Sequence, residues 1–115
     1  MDKIIGRNYK GNFSLNFDKE DLESTLKKSL FELFKIINKK SNPILEHIIS
    51  YRNSINAIST YNGLKISAYI EIDPNKTLDF SIYGKINDDK IVNYLEKKFK
   101  ANILEINNIH KPHQY

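Results

Sequence analysis

The stretch SINAISTYNGLKISAYIEID, residues 54–73, decides the fold of this chain. At its centre is Asn62-Gly63, a pair that favours a two-residue hairpin turn, because both turn residues need a positive φ that asparagine and glycine adopt at least cost. Apolar and polar residues alternate on either side of the pair, as they do in half-buried strands. The sequence therefore predicts two antiparallel strands, 54–61 and 64–73, joined by this turn.

A two-residue turn also sets which residues of the two strands face each other. Counting outward from the turn places four pairs on one side: Ile55 with Ile70, Ala57 with Ala68, Ser59 with Ile66 and Tyr61 with Leu64. This side carries most of the apolar residues, so we expect it to face the core.

Three further strands are expected outside the hairpin. The residues at 73–76 have the composition of a turn, and the alternation that follows them predicts a strand over about 77–86. Alternating aromatic and polar residues near 9–17 predict another. A short last strand is expected at 103–106.

Two main helices are predicted from apolar residues that recur three or four positions apart. The first begins after Asp18, which has the chemistry of an N-cap, and runs to about Lys39; Asn87 caps the second. Pro43 ends the first helix and is expected to begin a short additional helix over 43–52.

Together these elements predict one α+β domain over residues 1–115. Its antiparallel sheet has about five strands, in the order β-α-(α)-β-β-β-α-β, and two main helices pack on one face. A chain of this length buries about two-thirds of its unfolded surface, which is enough for one core. Residues 108–115 are polar, and we expect them to form a flexible tail.

The chain is basic, with 18 Lys and Arg residues against 14 Asp and Glu and a net charge of +4. Such a charge is typical of proteins that bind nucleic acid or an acidic partner. Lysine, asparagine and isoleucine are abundant throughout, however, as in the A- and T-rich coding sequences of many mobile bacterial and phage genes. The positive charge can therefore reflect either an anionic partner or the composition of the coding sequence alone.

Several chemistries find no support in the sequence. The absence of cysteine excludes disulfides, a thiolate nucleophile and a cysteine-based zinc site. The scattered glycines form no phosphate-binding loop, and no familiar catalytic motif occurs. No segment reaches the roughly 18 apolar residues of a membrane span. We expect a non-enzymatic, cytoplasmic protein with no cofactor and no membrane contact; an enzyme built from distant loops would leave no motif and is a third interpretation.

Some residues have the side chains of metal ligands but simpler roles. Asp88-Asp89 fits the first turn of a helix, and Glu71, Asp73 and Asp79 surround a turn. His110 and His113 supply two of the about four ligands that a structural zinc takes. We therefore predict no metal site.

The outward side of the three-strand meander carries more aromatic side chains than solubility requires. Tyrosine offers a large apolar area with few rotamers to freeze, which suits a contact surface. The residues predicted to bind a partner are Ile58, Lys65, Ser67, Tyr69, Ser81, Tyr83 and Lys85. The alternative is that the 43–52 helix or a second copy of the chain covers this side, and a homo-oligomer is left open.

Two classes of function follow. The favoured one is a small protein-binding module that caps a partner protein, as inhibitors, immunity proteins and antitoxins do. The other is a nucleic-acid-binding protein that uses the sheet tyrosines and two lysine-rich helix faces, which carry Lys27, Lys28, Lys35, Lys39 and Lys40 on one side and Lys90, Lys97, Lys98 and Lys100 on the other. Arginine, the usual reader of guanine edges, is scarce, which argues against sequence-specific readout.

Overall fold

The computed structural model describes residues 3–37, 44–61 and 63–111. Along these residues it contains β1 Ile4–Phe13, α1 Lys19–Ile37, β2 Ile44–Tyr51, β3 Ser54–Tyr61, β4 Leu64–Glu71, β5 Thr77–Tyr83, α2 Asp88–Phe99 and β6 Ala101–His110. The predicted α+β class, with two helices and an antiparallel sheet, is confirmed. The described part of the sheet has six strands where about five were expected.

The six strands form one sheet in the spatial order β2-β3-β4-β5-β1-β6, and every neighbouring pair is antiparallel. Strands β2 to β5 form a meander of sequential neighbours. β1 then lies beyond β5, and β6 pairs with β1 on its far side. The first and last described strands are thus neighbours, and β2 and β6 form the two edges.

The hairpin of β3 and β4 has the predicted register. Ile55 pairs with Ile70, Ala57 with Ala68, Ser59 with Ile66 and Tyr61 with Leu64. Two residues therefore connect the strands, and Gly63 has the positive φ that the turn requires, +80°. Asn62 lies outside the described residues.

Both helices begin at the predicted caps and cover one face of the sheet. The side chain of Asp18 accepts a hydrogen bond from the Asp21 backbone N–H at 2.8 Å, and Asn87 accepts one from the Lys90 N–H at 3.3 Å. The largest buried core side chains come from both layers: Leu22, Leu26, Leu30, Leu33, Phe34, Ile91, Leu95 and Phe99 from the helices, and Tyr9, Phe13, Ile55, Ile66, Ile70, Leu78, Phe80 and Ile82 from the sheet. Each such burial contributes about 1.5–3 kcal/mol to folding.

Residues 44–51 form strand β2, so the prediction of a helix over 43–52 is wrong. Pairing with β3 satisfies backbone groups of the segment, and the side chains of residues 47–51 divide between the two faces of the sheet. Ile48 packs against the core, whereas Ile49 on the opposite face is 49% exposed. Antiparallel sheets commonly have one face packed on the core and the other exposed to water, and Ile49 lies on the exposed face.

The C-terminal strand is longer than expected. β6 extends from residue 101 to 110, instead of 103 to 106, because nine of these ten residues pair along β1. Residues 108–110 of the expected flexible tail are therefore part of a strand. Residues 112–115 of that tail lie outside the described residues.

Candidate partner-binding face

The face of the sheet opposite the helices carries the residues predicted to bind a partner. Ile58, Ser67 and Ser81 are paired in one row across β3, β4 and β5, and Lys65 pairs with Tyr83 in another. Lys85 follows β5 at the same end. Since residues 44–51 are a strand of the sheet itself, the helix that was considered as a cover for this face does not exist.

The two tyrosines of this face lie far apart. Tyr69 pairs with Asp79, whereas Tyr83 pairs with Lys65, four positions away along β4. Four strand residues span about 13 Å. Between them, the middle row holds the small side chains of Ser67 on β4 and Ser81 on β5, so this part of the face is flat between two aromatic ends.

The Tyr83 end of the face is basic. Lys3, Lys65, Lys85 and Tyr83 line an open depression of about 730 Å³, together with Ile4, Ile5, Gly63 and Gly84. The Lys65 ammonium lies 5.3 Å from the centre of the Tyr83 ring. None of the three lysines forms an ion pair with another described residue. This end is therefore suited to an anionic group.

The Tyr69 end of the face is acidic. The Tyr69 hydroxyl donates a hydrogen bond to Glu71 Oε2 at 2.9 Å, and this bond raises the pKa of Tyr69 above its ordinary value. Tyr69 and Glu71 line an adjoining shallow depression, together with Asp73 and Arg52. The face thus carries opposite charges at its two ends, although the acidic end also has two basic residues, Arg52 and Lys10, the second of which pairs with Asp79.

An asparagine from β1 organises the middle of the face. Asn8 Nδ2 donates to Asp79 Oδ1 at 2.6 Å and to Ser81 Oγ at 2.8 Å. Sequence reasoning identified neither this residue nor Lys3 as part of the face. Both join it because β1 lies beside β5, a pairing between strands distant in the chain that no local pattern reveals.

The lysines of the nucleic-acid hypothesis are distributed over the helical layer. Lys27 is 3.5 Å from Glu23, and Lys98 is 3.6 Å from Glu32, so two of the positive charges are paired. Those that are exposed and form no ion pair with a described residue are Lys28, Lys35, Lys90, Lys97 and Lys100. Lys39 and Lys40 lie outside the described residues.

The carboxylate of Asp88 has structural partners. Its Oδ1 accepts a 2.5 Å hydrogen bond from the Tyr9 hydroxyl and lies 3.3 Å from Arg7 Nε. Burial raises the pKa of Tyr9, and the hydrogen bond to Asp88 raises it further. Within the described part of the chain, no group of three or more His, Asp or Glu side chains is placed to hold a metal ion.

Comparison with protein-family models, curated proteins and solved structures finds no match to this chain. None of the described helices combines the length and apolar character needed to cross a membrane. The function is therefore inferred from the geometry and charge of the surface.

Proposed function

We propose that this chain is a non-enzymatic protein-binding module that caps a partner protein with the outward face of its sheet, in the manner of inhibitors, immunity proteins and antitoxins. The observation that supports this most strongly is the packing of both helices on one side, which leaves half-buried Tyr69 and Tyr83 on the other. Six strands span about 24 Å at their usual separation. Strands of eight residues, such as β4, are about 26 Å long, so the face covers about 600 Å² in outline. This area is of the same order as the roughly 800 Å² that each partner contributes to a standard interface.

The charges of the face define the partner surface that would fit it. An acidic segment of the partner matches the depression lined by Lys3, Lys65 and Lys85, and a basic group matches the end at Glu71. Complementary charges of this kind steer association and set the orientation of the partners more than they raise affinity. The contact area comes from the tyrosine rings and from the flat middle row.

Capture of partners by variants of the protein tests the proposal. The immobilised wild type is compared, in a lysate of the source organism, with Tyr83→Ala and Lys65→Glu on the sheet face and with Lys28→Glu on the helical layer. We expect one dominant protein to be retained by the wild type and by Lys28→Glu but lost by both sheet-face variants. Circular dichroism controls for folding, and retention by both folded sheet-face variants would refute the proposal.

Nucleic-acid binding is the competing proposal, and it predicts the opposite pattern. Labelled single- and double-stranded oligonucleotides would then bind at low salt, with affinity that falls steeply as salt rises, because binding releases counterions. Lys28→Glu and Lys97→Glu would weaken that binding more than Tyr83→Ala. Failure of both oligonucleotides to bind at low salt would exclude this alternative.

A further inference from the structure

Strand β6 is an open edge of the sheet. It pairs with β1 on one side, and no other described strand pairs with it on the other. None of its ten residues is buried; Leu104 is 64% exposed and Ile106 46%. An edge strand of this length presents a row of backbone donors and acceptors that favours pairing with another chain.

The usual protection of an edge strand is weak in β6. Proteins blunt such edges with charged side chains, prolines, β-bulges or a covering segment. The pairing of β6 with β1 shifts register at two places, one of which leaves Leu104 without a partner in β1, but residues 105–109 between them pair regularly. Glu105 is the single Asp, Glu, Lys or Arg residue in this strand, which also has no proline. Because the whole chain has a net charge of +4, a second copy is repelled by much of its surface, and a nearly neutral strand is where two copies approach at least electrostatic cost.

The side chain of Ile106 indicates how two such edges fit together. Ile106 is opposite Tyr9, whose side chain is in the core, so it projects from the helix side of the sheet. There it lines an open depression of about 690 Å³ with Arg7, Asp88 and Asn108, among others. The helices thus leave this apolar side chain uncovered near the middle of β6.

We propose that two copies of this chain associate by antiparallel pairing of their β6 strands, which joins two six-stranded sheets into one. Such pairing is self-complementary about a two-fold axis. We place the axis at Ile106, so that the two Ile106 side chains pack together on the helix side. Glu105 of each copy then faces Asn107 of the other, and no like charges are opposed.

The opposite edge of the sheet provides a matched control. Ile49 of β2 has nearly the same exposure as Ile106, 49%. β2 has eight residues where β6 has ten, however, and its pairing with β3 shifts register between Leu45 and His47. The pairing of β6 with β1 also shifts register, at two places, and the uninterrupted stretch is five residues long at each edge, 105–109 in β6 and 47–51 in β2. The greater length of β6 is therefore what distinguishes the two edges.

Single cysteines test the contact directly, because the chain has none of its own. Opposed residues of antiparallel strands have Cα atoms about 4.5–5.5 Å apart, within the range of a disulfide. We expect Ile106→Cys to form a covalent dimer under mild oxidation, and Ile49→Cys to remain monomeric. Cross-linking of Ile49→Cys at an equal or higher rate would overturn the proposal.

Sedimentation equilibrium tests the association without a cross-link. The mass is expected to rise from 13.5 kDa toward twice that value between about 1 and 500 μM. Ile106→Lys and Leu104→Lys should stay at the monomer mass, whereas Ile49→Lys should still dimerise; two β6 variants are used in case one fails to fold.

A wild type that stays at 13.5 kDa throughout overturns the proposal, and so does a dimer that survives in a folded β6 variant. Assemblies larger than a dimer that Ile49→Lys also abolishes would indicate head-to-tail pairing of β6 with β2, which contradicts it equally.

This association uses a different surface from the proposed partner-binding face. The failure of one proposal therefore does not affect the other.

Discussion

The ammonium group of Lys65 lies over the ring of Tyr83, 5.3 Å from its centre, across the pair of strands β4 and β5. Attraction between a cation and an aromatic face at such an exposed site amounts to about 0.5–1 kcal/mol. A double-mutant cycle with Lys65→Ala and Tyr83→Leu, measured by urea unfolding, should return a coupling energy of this size. Lys85→Ala is the control, because that lysine lines the same depression, whereas the ammonium group over the ring is that of Lys65. A coupling between Lys85 and Tyr83 as large as that of Lys65 would contradict the assignment.

The contact of Phe80 with Phe99 joins the sheet to α2. Both side chains are fully buried, and their ring centres are 5.9 Å apart. Phe80→Ala should lower the free energy of unfolding by about 3–5 kcal/mol, because it removes buried apolar surface and leaves a cavity. Phe31→Ala, at a position 43% exposed on α1, should cost less than about 1 kcal/mol. Equal losses in chemical denaturation would show that Phe80 is not in the core.

Gly11 lies where β1 and β6 approach closely. A Cβ atom at this position would be 2.0 Å from the Asn102 carbonyl oxygen. Gly11→Ala should therefore force the two strands apart, and hydrogen exchange should show faster exchange across 101–110. Gly63→Ala is the control: its Cβ would meet no atom within 4 Å, and only its φ of +80° costs about 1 kcal/mol. Unchanged protection of β6 in Gly11→Ala would contradict the described pairing.

Glu32 connects the two helices. It accepts a 2.5 Å hydrogen bond from the Tyr94 hydroxyl and lies 3.6 Å from Lys98 Nζ. Glu32→Ala removes both interactions and should reduce stability in urea by about 1–2 kcal/mol. Lys98→Ala removes only a partly exposed ion pair, which contributes about 0–1 kcal/mol. A larger loss of stability in Lys98→Ala than in Glu32→Ala would contradict the conclusion that Glu32 makes the larger contribution.

Stability should fall in alkaline solution. Burial, and then hydrogen bonds to Asp88 and Glu32, raise the pKa values of Tyr9 and Tyr94 in the folded state. Both groups keep their full contribution below about pH 10, where unfolded tyrosine is protonated; above it the unfolded state releases protons that the folded state retains, so unfolding is favoured.

The alkaline effect is measured by thermal unfolding from about pH 9 to pH 11.5. Tyr94→Phe should show a shallower decline in melting temperature than the wild type, because one of the two groups is gone. Tyr51→Phe, at an exposed position, is expected to follow the wild type. If the melting temperature of Tyr94→Phe declines with pH as steeply as that of the wild type, Tyr94 does not contribute to the alkaline loss of stability.

The parts of the fold that local chemistry determines were predictable from the sequence. Asn62-Gly63 and the alternation around it gave the register of β3 with β4, and Asp18 and Asn87 gave the starts of both helices. The outward position of Tyr69 and Tyr83 follows from the same alternation. Their role in binding a partner stays a prediction.

Non-local pairing was not predictable in the same way. Apolar residues in ILEHIISY are compatible with both a helix and an edge strand, and pairing with β3 decides between them. The polar sequence of β6 has no clear alternation, since neither of its faces is buried. The approach of Lys3 to Lys65 at the basic end likewise depends on where β1 inserts in the sheet.

The insertion of β1 between β5 and β6 also determines when the sheet can assemble. Lys111 donates a backbone hydrogen bond to the Lys3 carbonyl at 2.8 Å, so the two ends of the described chain meet. During synthesis on the ribosome, β1 emerges first but has no neighbour until β5, residues 77–83, has been translated, and it lacks the second until β6, residues 101–110, follows. The meander can pair as it emerges, whereas β1 must wait, and closing contacts of such long sequence separation slows folding.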